Sequence, residues 1–159
     1  MREVADRNNW TKATCIHTPM LSGLKGSGGR MDSYDHKMSK SDPNNAILMH
    51  DDHDSLRKKM RKAFLEVGNP SSAVFEMVEH VILPRLGKVK VTPDPKYGEP
   101  SEFSDLDSFT DAVSNGSVHP LDAKMAVADG LSDVLSPVSE HFSSRSELMS
   151  AINSITGPQ

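Results

Sequence analysis

Apolar residues in the longer segments recur every three or four positions, a spacing that restricts most of this chain to helices packed by one face. Leu56, Met60, Phe64 and Val67 form one such series, capped by Asp52 or Asp54 and stopped by Gly68. Val74, Met77, Val78, Val81 and Ile82 form a second, with Asn69 as cap, Pro70 in the first turn and Pro84 at its end. Leu106, Phe109 and Val113 predict a short helix from Asp105, stopped by Asn115-Gly116. Leu121, Met125, Ala128, Leu131 and Leu135 predict a longer one from His119-Pro120, which Pro137 should break or kink. A final helix is expected over 144–155, and the first eight residues read as the tail of another.

Strand signals are few. Lys88–Val91 alternates like an edge strand, and 92–100 reads as an irregular loop. Thr14–His17 reads as a short buried strand ended by Pro19, with Cys15 in the core. The four glycines among residues 22–36 predict a mobile loop. The pattern is a small α/β remnant up to about residue 50, then a mostly helical domain with one or two short strands.

Charge divides the chain differently. Residues 1–90 hold 15 of the 18 Lys and Arg against 11 acids, a net +4, whereas residues 91–159 hold three bases against 11 acids, a net −8. An acidic half repels a nucleic-acid backbone at long range, which argues against a general nucleic-acid binder and leaves only local, base-directed contacts there. One cysteine excludes an internal disulfide framework and cannot build a cysteine metal site. No apolar run approaches the roughly 20 residues of a membrane span, and the N-terminus has no hydrophobic stretch of a leader. A soluble protein of a reducing compartment is expected, with no membrane partner.

The most specific segment is Lys37-Met38-Ser39-Lys40-Ser41. Two ammonium groups three residues apart, behind a glycine-rich approach, suit a polyanion gripped briefly, because lysine supplies point charge without fixed geometry. An isolated K-x-x-K is ordinarily a solvated loop, but this five-residue string arises by chance on the order of once in ten thousand such sequences.

This string resembles the signature loop of class I aminoacyl-tRNA synthetases. CIHTPMLSGL before it, KMSKSDPNNAI through it, KYGE at 96–99 and VHPLDAKMAVADGLSDVLSPVSEHF at 118–142 resemble the tyrosyl-tRNA synthetases of archaeal and eukaryotic type. The resemblance implies the C-terminal portion of such an enzyme. Residues 1–50 would be the end of a Rossmann-like nucleotide-binding fold with its mobile lysine loop, and 51–159 a helical anticodon-binding domain. It implies ATP as substrate, with Mg2+ carried by ATP, tyrosine activation, and transfer to tRNA(Tyr) in the cytoplasm. Lys37 and Lys40 would stabilise the leaving pyrophosphate, with Met38, Ser39 and Ser41 completing the ATP-binding loop. Tyr97, His119 and Asp122 match the family's anticodon-reading positions.

Two departures accompany the likeness. The 22–36 loop looks longer than usual, and no His-x-Gly-His occurs. A missing N-terminal catalytic portion is therefore expected to supply the other ATP motif and the tyrosine pocket, and to carry the dimer surface of the complete enzyme. This chain alone is expected to be inactive. The alternatives are a portion of a tryptophanyl-tRNA synthetase, or a non-catalytic tRNA-binding half of a duplicated synthetase. Residue by residue, duller readings stand beside these. His119 and Asp122 could simply start a helix, Tyr97 could be a plain loop aromatic, and Arg57–Lys62 could be a solvated face or a tRNA-backbone contact. His50 and His53 have acids nearby but no wider ligand set, so no metal is expected.

Overall fold

The computed structural model describes residues 2–26, 37–39, 41–69, 72–145, 147–148 and 150–151. A short helix, Arg2–Arg7 (α1), precedes an extended stretch over 11–20. His53–Lys62 (α2) follows, its first turn closed by the Asp52 carboxylate accepting from the Ser55 amide at 2.7 Å. Three segments then stack end to end: Ala73–Met77 (α3), a π-helical turn at Val78–Ile82, and Leu83–Leu86 (α4). Val89–Val91 (β1) pairs antiparallel with Ser101–Phe103 (β2), Val89 opposite Phe103 and Val91 opposite Ser101. Leu106–Ser114 (α5), capped by Asp105, leads to the long helix Pro120–Ser143 (α6). The description is mostly helical with one two-stranded sheet.

The core lies between α6 and the elements laid against it: α2, the π turn and β1. Leu56, Met60, Phe75, Ile82, Phe109, Ala123 and Val127 are fully shielded from water. Phe109 meets Phe75 and Phe103 edge-on, with ring centroids 5.8 and 5.4 Å away. Leu24 is part of this same core, and Met38 and Ile47 pack against it. The segment before residue 50 is thus packed onto the helical body by apolar contact.

Several expected terminations differ. The α2 series stops at Lys62, not Gly68, because the Phe64 amide donates to the Leu24 carbonyl at 2.7 Å and so leaves the helical ladder. Phe64 and Val67 are accordingly about half exposed. The next helix is capped at Ser72, not Asn69, and Pro70 lies outside the described residues. Pro84 does not end its rod. The wide turn before it sends the Leu83 amide back to Val78, so Pro84 falls in the first turn of α4, where its missing N–H needs no partner. Pro137 does not break α6 either: the Asp133 carbonyl, which a residue-137 amide would have bonded, accepts from the Ser136 hydroxyl at 3.2 Å.

The buried strand at Thr14–His17 is also corrected. Residues 11–20 are exposed throughout, Cys15 among them and Ile16 at 89%. A doubly covered strand needs neighbours to take its backbone hydrogen bonds and side chains, and no described strand lies beside this stretch. Of the loop expected over 22–36, residues 27–36 lie outside the described residues, and the helix expected over 144–155 is described as helix only at 147–148 and 150–151. No described helix is long and apolar enough to cross a membrane.

Candidate nucleotide loop and RNA-reading cavity

Lys37 sits where the chain rejoins the body. It forms an isolated antiparallel bridge with Ser22, and the Met38 amide donates to the Leu21 carbonyl at 3.0 Å. The Lys37 side chain is exposed, while Met38 packs inward. Ser39 shapes the next turn: its carbonyl accepts from the Asp42 amide at 3.1 Å, and its hydroxyl from the Ser41 amide at 3.3 Å. Ser41 is exposed, and Lys40 lies outside the described residues. Asp42 opens a 3-10 turn at Pro43–Asn45. Its ion pair with Lys25, aided by the Asn44 and Asn45 amides, holds its carboxyl below the ordinary carboxylate range.

The bridge has a support that no local pattern signals. Glu76, on α3, accepts from the Ser22 amide at 2.7 Å and from the Ser22 hydroxyl at 3.0 Å. A helix of the body therefore fixes the strand against which Lys37 is laid. The two residues stand 54 positions apart, so neither spacing nor propensity could have paired them. Gly26, just beyond this strand, has φ of +69° and faces the Phe64 ring so closely that an added Cβ would stand 2.4 Å from it.

Tyr97, His119 and Asp122 come together around one cavity of about 630 Å³. The loop between β1 and β2 brings Tyr97, held by a turn in which its amide donates to the Asp94 carbonyl at 2.8 Å. Its ring is 84% exposed, open to stacking. His119 arrives as the N-cap of α6, its place fixed by the Val118 amide donating to the Ala112 carbonyl at 2.9 Å. Its Nδ1 accepts from the Leu121 amide at 3.1 Å, so the neutral ring carries its proton on Nε2 and offers a donor there. Asp122 lies half-buried in the first turn of α6. Asp94 and Glu99 also line the cavity, but no described Lys or Arg does. The arrangement offers carboxylate acceptors, one imidazole donor and an aromatic face, with no described lysine or arginine to pair with a phosphate.

His53 is drawn into an ion group that joins α2 to α6: its Nε2 lies 3.1 Å from Asp129, which also pairs with Arg57. Lys59 and Asp51 form a second, nearly buried pair at 2.7 Å. Neither partner, Asp129 or Asp51, was assigned from sequence. Among the described residues no group of three or more His, Cys, Asp or Glu could hold a metal ion.

Residues 1–136 match the family model described as tRNA synthetases class I (W and Y). The chain belongs to this family. Within the class I synthetases, it is 40% identical over 144 residues to the tyrosine–tRNA ligase of Picrophilus torridus, covering 87% of this chain and 42% of that protein. It is 31% identical over 166 residues to the tyrosine–tRNA ligase of Saccharolobus islandicus strain L.S.2.15, covering 98% and 46%. In fold it is similar to tyrosyl-tRNA synthetase from Aeropyrum pernix, with TM-score 0.80, 29% identity, and coverage of 99% of this chain and 44% of that one. The tyrosyl-tRNA synthetase from Archaeoglobus fulgidus, solved with L-tyrosine, gives TM-score 0.70 at 32% identity, covering 85% and 40%. The chain therefore spans less than half the length of these synthetase relatives.

Proposed function

We propose that this chain is the C-terminal portion of a tyrosine–tRNA ligase, supplying the lysine loop for tyrosine activation and the cavity that reads the anticodon. Residues 1–50 end the nucleotide-binding fold, and 51–159 form the anticodon-binding domain. The complete enzyme joins tyrosine to tRNA(Tyr) with ATP, acts in the cytoplasm, and carries its dimer surface mainly outside this chain. Relatives at 31–40% identity that are tyrosine ligases favour tyrosine over tryptophan.

In the activation step, negative charge moves onto the departing pyrophosphate. Lys37 and Lys40 meet that charge, strengthening as it develops and so lowering the barrier more than they tighten ATP. Mg2+ carried by ATP would share that neutralisation with the two lysines. In the recognition step, an unstacked anticodon base lies on the Tyr97 ring. Asp122, acceptor-only when ionised, takes both donors on the Watson–Crick edge of guanine, and His119 presents Nε2–H beside it.

The observation that carries this reading is the convergence of Tyr97, His119 and Asp122 on one cavity, although 22 positions separate the loop residue from the helix cap. A carboxylate reading a base needs no basic field, which reconciles the acidic half with an RNA partner. In the complete enzyme, Asp122→Ala should lower kcat/KM for tRNA with the native anticodon about 10- to 100-fold, the loss of charge-assisted hydrogen bonds. Amino-acid-dependent ATP–pyrophosphate exchange should stay within about twofold, because the cavity takes no part in adenylate formation. Equal losses in both steps would make Asp122 structural.

A further inference from the structure

The cavity that would read the anticodon has a physical deficit. It offers specificity with no lysine or arginine among its described lining residues, whereas contacts to phosphate ordinarily supply most of the attraction between a protein and a nucleic acid. The missing charge stands elsewhere. A second hollow of about 510 Å³, open to solvent, lies between α2 and the residues Leu24, Lys25 and Asn44, with Ser55, Lys58, Lys59 and Lys62 on the α2 wall.

These lysines are not equivalent. The Lys59 ammonium has its three protons engaged by both Asp51 oxygens, at 2.8 and 2.7 Å, and by the Ala46 carbonyl at 3.0 Å. It is structural. Lys25 is held in place on the facing wall by Asp42. Lys58 and Lys62 are exposed and neither forms a close ion pair with a described acid, although Lys58 helps to lower the Asp52 carboxyl at longer range. They stand one helical turn apart, about 6 Å along the axis, close to the step between successive phosphates of an RNA strand. Like charges at this spacing weaken a helix. The α2 dipole favours a cation in the last turn, at Lys62, the Asp52 carboxyl favours Lys58, and Asp42 holds Lys25 across the hollow, so three ammonium groups face one space.

The lining also discriminates among anions. Among the described residues that line it, only Leu24 and Ala63 are apolar, none is aromatic, and Lys37, Met38, Ser39 and Ser41 are absent. These described residues offer no stacking face for the base of a mononucleotide, whereas a backbone passing through needs only charge. We infer that Lys58 and Lys62, with Lys25 opposite, grip the phosphodiester backbone of the bound tRNA and supply the affinity that the acidic cavity lacks. This inference rests on the tRNA reading above and extends it: affinity and base discrimination come from separate faces.

The test titrates the full chain with tRNA(Tyr) transcript over a range of salt concentrations, comparing Lys58→Ala/Lys62→Ala, Lys58→Arg/Lys62→Arg and Asp122→Ala. The alanine pair should bind on the order of tenfold more weakly at low salt, with a slope of log K against log salt shallower by about 2, one for each lost phosphate contact. The arginine pair should keep the slope. Asp122→Ala should keep it as well, while losing preference for the native anticodon. An alanine pair with unchanged slope overturns the groove, and if Asp122→Ala still loses anticodon preference, the anticodon reading survives that failure. An unchanged slope accompanied by weaker ATP binding would instead assign the hollow to nucleotide, which also overturns it. A shallower slope with no anticodon preference in any variant upholds the groove and defeats the anticodon reading.

Discussion

Phe109→Ala is expected to destabilise the protein by about 3–5 kcal/mol, the usual cost of emptying a buried aromatic site. Phe109 is fully buried and is the ring on which three elements converge: Phe75 from α3 and Phe103 from β2 both meet it edge-on. Deleting it opens a void between rigid elements that cannot all close on it, and removes two aromatic contacts as well. Against a typical total of about 5–15 kcal/mol, that loss brings a domain near its threshold. Urea unfolding monitored by circular dichroism gives the value, and Phe109→Leu, which leaves a smaller void, should lose distinctly less. The functional consequence follows from connectivity: β2 closes the loop that carries Tyr97, so tRNA discrimination should fall with temperature well before helix content does. A loss below about 1 kcal/mol would show that the site can collapse and that Phe109 does not organise the core.

What the sequence revealed and what it concealed follow the range of the interactions involved. Three helix starts were legible because their signals are local: Asp52 and Asp105 cap through their own side chains within three residues, and His119 does so within two, whereas α3 starts from Ser72, which makes no side-chain cap, and not from Asn69. The β1 strand was legible from its alternation, which reappears as buried, exposed, buried. Of the helix ends, the Asn115-Gly116 stop of α5 was legible, with Asn115 as C-cap and Gly116 at φ +81°, whereas three others were decided by bonds that apolar spacing does not show. The Leu24 carbonyl takes the Phe64 amide, the π turn accommodates Pro84, and Ser136 satisfies the carbonyl that Pro137 leaves. Thr14–His17 failed for the converse reason, since an apolar tetrapeptide specifies burial only where something covers it. At the candidate site, Tyr97, His119 and Asp122 were named from resemblance, and periodicity could not have brought them to one cavity. The Glu76 clamp on Ser22 was invisible, being a lone carboxylate on an otherwise apolar helix.

That clamp bears on the largest catalytic effect expected. In the complete enzyme, Lys37→Ala and Lys40→Ala should each raise the barrier to adenylate formation by about 2–4 kcal/mol, as loss of one preorganised donor to a developing anion does. The corresponding fall in the ATP–pyrophosphate exchange rate is about 30- to 1000-fold. On the proposed role the loss should lie mainly in kcat, with KM for tyrosine unchanged, because the charge on the pyrophosphate grows as its bond breaks. The double variant should fall short of the summed effects if the two ammonium groups act on the same leaving group. The root of Lys37 is pinned through Ser22 to Glu76, yet its side chain is exposed. A fixed root on an exposed residue suits a donor that meets its target without reorganising the body. Glu76→Gln, which preserves an acceptor for Ser22, should therefore be far milder than Lys37→Ala in the same exchange assay. Unchanged aminoacylation in the double lysine variant would remove the loop from the chemistry altogether and leave the non-catalytic, tRNA-binding reading in its place.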